Sequence, residues 1–233
     1  MALTEHRLAT PDALAQAVLD WSLPLLQQRL CTEARLSLLL SGGNTPLAFY
    51  RLLARAPLPW PQIDLALVDE RWVEPSSVLS NEAAIRAALA VNPAAAQRLT
   101  GMKNAAVSAT AGAVACNQRY RELCWPPVLT VLGMGLDGHT ASLFPAAGGL
   151  QEALTARSFC TAIQAQPSAV TGPCTERLSL TLWALAQSSR LALLISGEDK
   201  WVLYRRARQS EDPALPVSLL LGLPCPIDVF WCP

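Results

Sequence analysis

The sequence has very little histidine, no excess charge of either sign, no long apolar run and no paired-cysteine motif. Lys plus Arg number 18 and Asp plus Glu 18, so no overall field draws the chain to nucleic acid or an anionic membrane. No stretch interleaves basic with aromatic residues, so nucleic-acid binding is unsupported. The apolar runs Leu36–Leu40 and Leu191–Ile195 are strand-length, far below a membrane span. Residues 1–10 lack the basic start and apolar stretch of a signal peptide. Seven cysteines are scattered, with no C-x-x-C and no histidine at ligand spacing. They read as buried thiols in a reducing cytoplasm, not as a disulfide framework or a zinc site. The Walker phosphate loop and the GxSxG of serine hydrolases are both missing. Asp69 and Glu70 are adjacent, so on extended chain they point apart and do not form a glycosidase pair. Of the two histidines, His6 lies near a terminus expected to be mobile. Any imidazole chemistry therefore falls to His139.

What is present is a core-forming composition. Hydrophobic residues make up 52% and charged residues 15% of 233, enough for one α/β domain spanning residues 1–233. A helix is predicted from Pro11 to about Cys31, with Thr10 as N-cap and Pro24 ending or kinking it. Strands are predicted at Leu36–Leu40, Ile63–Val68, Val128–Leu132, Arg157–Ala165, Arg177–Thr181, Leu191–Ile195 and Ile227–Trp231. Helices are expected after Pro46 and over Asn81–Val91, Ala105–Leu123, Leu182–Gln187, Ser196–Gln209 and Pro213–Leu221. The alternation implies a mostly parallel sheet covered on both sides, with ligands beyond the carboxyl ends of its strands.

The unusual residues fall at those ends. Gly133-Met-Gly135-Leu-Asp-Gly138 matches the dinucleotide fingerprint, but Pro145 and Gly148-Gly149 arrive too soon for the helix that fingerprint needs. The glycines instead let the backbone approach a ligand and place His139 at the crevice as a candidate general base. Asp137 is positioned to orient that ring or a water, or simply to close an Asx turn. Ser41-Gly42-Gly43-Asn44-Thr45 between strand and helix suits a phosphate, through consecutive N–H groups and a helix N-terminus. Arg71, Arg177 and Lys200 are candidates to complete an anion site.

Five blocks carry a resemblance: LSLLLSGGNTPLAFYRLL, LALVDERWVEPSSVLSNEAAIRAAL, LTVLGMGLDGHTASLFP, ERLSLTLWAL and ISGEDKW. In order and spacing they resemble the 6-phosphogluconolactonases over nearly the whole chain. That resemblance implies a three-layer α/β/α fold with a mostly parallel, Rossmann-like sheet of the glucosamine-6-phosphate deaminase/ribose-5-phosphate isomerase/CoA transferase type. It implies hydrolysis of 6-phospho-D-glucono-1,5-lactone without metal or cofactor. The sugar-phosphate lactone is the expected partner, with no nucleic acid or membrane, for a monomer or weak homodimer in the cytoplasm. Asp69 and Asn81 match polar positions of the family's DER…SN block that contact sugar hydroxyls or order the site. Two departures occur: Arg71-Trp-Val-Glu74-Pro75 is one residue longer before the proline than the family's usual pattern, and Ser76–Leu79 lacks a histidine often found there. The alternatives are an amino-sugar phosphate isomerase/deaminase on the same fold and a non-catalytic sugar-phosphate sensor. The deaminase pattern has DEY at Asp69–Arg71 and GHIAFNEP at Gly138–Pro145, and a sensor usually carries a DNA-binding segment that residues before Leu36 do not offer.

Overall fold

The computed structural model describes residues 3–233. It begins with β1 (Leu3–Arg7) and α1 (Pro11–Leu30), followed by β2 (Leu36–Leu40), α2 (Asn44–Arg55), β3 (Ile63–Leu67) and β4 (Asp69–Arg71). The middle contains α3 (Asn81–Leu89), α4 (Pro93–Gln97), β5 (Leu99–Thr100), α5 (Ala109–Arg121) and β6 (Leu129–Gly133). The remainder runs α6 (Leu150–Thr155), β7 (Cys160–Gln164), β8 (Glu176–Leu180), α7 (Leu182–Ala186), β9 (Leu191–Ser196), α8 (Glu198–Ala207), α9 (Pro216–Leu221) and β10 (Ile227–Cys232).

Seven strands form one parallel sheet in the order β1-β10-β9-β6-β2-β3-β5. Every residue of β2 and β3 is buried, which is why these segments read as unbroken apolar runs: helices cover both faces. From β2 the chain moves outward to β3 and β5, whereas from β6 it moves the other way, to β9 and β10. The loops leaving β2 and β6 therefore diverge and open a crevice at the carboxyl ends of the strands. At Val68 the chain crosses from this sheet into a second one. Its N–H donates to Leu40 O at 2.9 Å, and its carbonyl accepts from Leu180 N at 2.9 Å. The second sheet is antiparallel, ordered β4-β8-β7, and flanks the crevice.

Several expectations are corrected. The segment around His6 is a strand: β1 pairs in parallel with β10, His6 Nε2 lies 2.9 Å from Asp228 Oδ1, and its ring stacks on Phe230 at 4.3 Å. Pro24 does not end α1, which continues to Leu30. The proline sits on the exposed face while Leu14, Val18, Ser22 and Leu26, four apart, are buried and hold the helix down. The helix expected from Ala105 starts at Ala109, where the Ser108 hydroxyl accepts from Ala111 N at 3.1 Å. Asp69–Arg71 is itself a strand, and α4 and β5 were not foreseen. After β6 no helix begins before Leu150, so the glycine pattern lacks the helix that the dinucleotide fingerprint requires, as expected.

Candidate active site

The loop after β6 carries His139 on a fixed mount. Gly135 N donates to His139 O at 2.9 Å, and the imidazole packs so closely on Gly135 that a Cβ there would stand 2.1 Å from Nδ1. The ring also leans on Phe144, with centroids 4.1 Å apart. Asp137 does both things expected of it. Its Oδ1 accepts from His139 N at 3.2 Å, closing the Asx turn, and lies 2.5 Å from Nδ1. Burial pushes the Asp137 carboxyl up, but the hydrogen bond and charge of His139 outweigh it and hold the carboxyl below its ordinary value. An ionised carboxylate only accepts, so Nδ1 carries a proton, and in the neutral imidazole the lone pair is on Nε2. Beyond His139, Ala141 adopts φ 52°, a left-handed conformation unusual for alanine, and Ser142 turns inward. The Ser142 hydroxyl donates to Asp69 Oδ2 at 2.6 Å, joining this loop to β4.

On β4 the side chains alternate: Asp69 and Arg71 face the crevice, while Glu70 faces α3. Asn81, the first residue of α3, donates from Nδ2 to Asp69 O at 2.9 Å and accepts at Oδ1 from Arg71 Nη1 at 2.8 Å. Its amide thus bridges Asp69 and Arg71. Arg71 lies directly opposite Arg177 in the antiparallel pair of β4 and β8, so the two guanidiniums share a face. Arg177 is 4% exposed and donates from Nε to Cys174 O at 2.8 Å and from Nη2 to Thr171 O at 2.7 Å. Burial pulls this guanidinium down from its ordinary value; Asp69 opposes that, and neighbouring Arg71 adds to it. Lys200, in the first turn of α8, is likewise pulled down by burial and opposed by the charge of Asp137. Among the described residues, none of Arg71, Arg177 and Lys200 forms an ion pair with a carboxylate.

The turn after β2 completes the wall. Tyr50, buried beneath it, donates its hydroxyl to Ser41 O at 2.9 Å. Gly42 lies against Asn81, where a Cβ would stand 2.0 Å from Oδ1, and Gly43 takes φ 94°, closed to most residues. The N-termini of α1, α3 and α5 are capped by Thr10, Ser80 and Ser108, whereas α2 and α8 start at Gly43 and Gly197 with no side-chain cap. The uncapped starts of α2 and α8 lie beside the crevice and leave N–H groups without side-chain acceptors. The Ser41 hydroxyl is buried with no hydrogen-bond partner among the described residues.

These groups surround one cavity of about 440 Å³. Ser41, Gly42, Gly43, Asn44 and Thr45 line one side, Asp69, Arg71 and Asn81 another, and His139, Arg177 and Lys200 the rest. Asp137 supports His139 from behind. Every residue singled out from the sequence is therefore brought together. Sequence reasoning missed Ser142, Tyr50 and the wall formed by Ala169 and Val170. Only the second hydroxyl of His139-Thr-Ala-Ser142 hinted at the first of these.

The family model for glucosamine-6-phosphate isomerases/6-phosphogluconolactonase matches residues 9–231. A 6-phosphogluconolactonase from Rhizobium meliloti (strain 1021) is 34% identical over 235 residues, covering 100% of both chains. The crystal structure of a 6-phosphogluconolactonase from Shewanella baltica OS155 superposes with a TM-score of 0.93 at 35% identity, covering 99% of this chain and 98% of that one. A monomeric glucosamine-6-phosphate deaminase shares the fold, with a TM-score of 0.73 at 18% identity over 98% of this chain and 97% of its own. With a match along almost its whole length, this chain belongs to the glucosamine-6-phosphate isomerase/6-phosphogluconolactonase family.

Proposed function

We propose that this protein hydrolyses 6-phospho-D-glucono-1,5-lactone to 6-phospho-D-gluconate, the second step of the oxidative pentose phosphate pathway. The observation that carries the reading is unpaired positive charge in a cavity that also holds a carboxylate-oriented imidazole. Arg71 and Arg177 lie side by side with no carboxylate paired to them, an arrangement that favours an anion between them.

In this reading Gly42, Gly43, Asn44 and Thr45 hold the 6-phosphate at the uncapped start of α2, with Ser41 beside them and Arg177 and Lys200 supplying charge. Asp69 meets the sugar hydroxyls, and Asn81 keeps Asp69 and Arg71 aimed. His139 Nε2 takes a proton from water, and the oxygen attacks the lactone carbonyl carbon. The tetrahedral oxyanion is stabilised by Arg71 or nearby N–H groups. Collapse breaks the bond to the ring oxygen, which takes the proton back from His139. One water is consumed, and the free carboxylic acid then ionises. The partner is a small sugar phosphate. The expected assembly is a monomer or weak homodimer.

The test is acid release from freshly generated lactone with the spontaneous rate subtracted, run beside ammonia release from glucosamine 6-phosphate. Catalysed acid release without ammonia supports the lactonase. Ammonia release makes the protein a deaminase. No turnover, together with a melting temperature raised by sugar phosphates, makes it a sensor.

A further inference from the structure

Behind the cavity lies a buried carboxylate that the chemistry above does not use. Glu70 is 1% exposed, and the alternation of β4 turns it toward the start of α3. Its Oε1 accepts from Arg71 N at 2.8 Å and Asn81 N at 2.7 Å. Its Oε2 accepts from the Ser80 hydroxyl at 2.9 Å and Glu82 N at 2.7 Å. The chain leaves β4 at Arg71 and returns at Asn81 after an excursion on which Val78 is 97% exposed. A single carboxylate therefore closes the base of that loop. All four partners are donors, so only a group that accepts at both oxygens satisfies them.

We propose that Glu70 is a positioning residue, holding the main chain of Arg71 and Asn81 together so that their side chains stay aimed at the cavity. The inference deepens the lactonase reading and rests on it for its kinetic readout. Two contacts transmit the effect. Arg71 Nη1 donates to Leu79 O and Asn81 Oδ1, both at 2.8 Å and both at the far end of the loop. Asn81 in turn lies against Gly42, at the edge of the anion-binding turn. Loosening the loop base displaces Arg71 and that turn together.

The test is Glu70→Gln, which keeps the shape but turns an amide NH2 toward two of the four donors whichever way it lies. Glu70→Asp is made in parallel and keeps the charge. Asp64→Asn serves as a control for stability alone, weakening the ion pairs with Arg35 and Arg98 at the amino ends of the parallel strands. The expected result for E70Q is a fall in kcat/KM for the lactone of about 10²-fold, the scale set by a 1 Å misplacement. Affinity for 6-phosphogluconate, read as product inhibition, also falls, and E70D recovers part of both losses. The control lowers the melting temperature and leaves both constants as in wild type. Wild-type constants in folded E70Q overturn the proposal, as does an equal kinetic loss in the control. If E70Q does not fold, E70D decides in the same way. The lactonase reading stands or falls on wild-type turnover alone. Without turnover, the comparison moves to the melting-temperature rise given by inorganic phosphate, which E70Q diminishes if Glu70 positions the site and preserves if it does not.

Discussion

At the scale of single residues, the site depends on two adjoining side chains. General-base catalysis contributes about 10²–10⁴ in rate. His139→Ala is therefore expected to lower kcat by that factor with the melting temperature unchanged; near-normal turnover would remove His139 from the mechanism. Asp137→Asn is more informative. An asparagine amide can donate to Nδ1, moving the ring proton to Nε2 and blocking the base while preserving the hydrogen bond. A loss of about 10²-fold or more in kcat with little change in KM is expected. The pH dependence has a definite sign. The Asp137 carboxyl is held below its ordinary value, so its contribution to stability is present above the unfolded value of ~3.9 and is lost as pH falls through the lower folded value. The wild-type-minus-D137N difference in melting temperature should shrink as pH falls below about 4. A difference that did not shrink there would contradict the assignment. The dependence of His139 on Asp137 was legible in the sequence because they are two residues apart in one turn. Ser142 reaching Asp69 was not, because 73 positions separate them and only the fold closes that distance.

At the scale of elements, the cavity is assembled from helix starts and strand ends. Thr10, Ser80 and Ser108 cap α1, α3 and α5, while α2 and α8 begin on glycine with no side-chain cap beside the crevice. Lys200 adds a full charge to the start of α8. Lys200→Met keeps most of the apolar stem and removes the ammonium. It should raise KM about tenfold, the equivalent of ~1.4 kcal/mol and of the size expected for one charge-assisted hydrogen bond, with a smaller change in kcat. A larger loss in kcat than in KM would move Lys200 from phosphate binding to the reacting end. Patterning revealed the parallel strands because burial on both faces writes an unbroken apolar run. It did not reveal β4: three residues with two acids and an arginine carry no strand signature. That segment is extended because β8, more than a hundred positions later, pairs with it.

Across the whole molecule, stabilising charge and functional charge lie at opposite ends of the sheet. At the amino ends of β2 and β3, buried Asp64 pairs with Arg35 at 2.6 Å and Arg98 at 2.5 Å. Asp228, near the start of β10, holds His6 and Arg190, each at 2.9 Å. Around the cavity beyond the carboxyl ends of the parallel strands, Arg71, Arg177 and Lys200 have no carboxylate partner among the described residues. Asp64→Asn should cost about 2 kcal/mol in denaturant unfolding, since charged hydrogen bonds are lost to arginines that stay partly solvated, and should leave KM and kcat unchanged. A kinetic effect would mean that the two ends are coupled.

Apart from Asn81, which entered through the family resemblance, and Arg177, at the start of a strand, the sequence by itself determined the alternation of strands and helices and the placement of Ser41–Thr45, Asp69–Arg71, Asp137–His139 and Lys200 at strand ends. Those follow from local rules: apolar runs mark buried strands, glycines and caps mark their ends, and parallel order puts the ends together. Only the tertiary structure decided that Arg71 faces Arg177 across an antiparallel pair, that Asn81 serves Arg71 and Asp69, that Glu70 closes the loop behind them, and that His6 docks on Asp228. Each of these is a contact between segments far apart in the chain, fixed by pairing and burial that no local periodicity encodes.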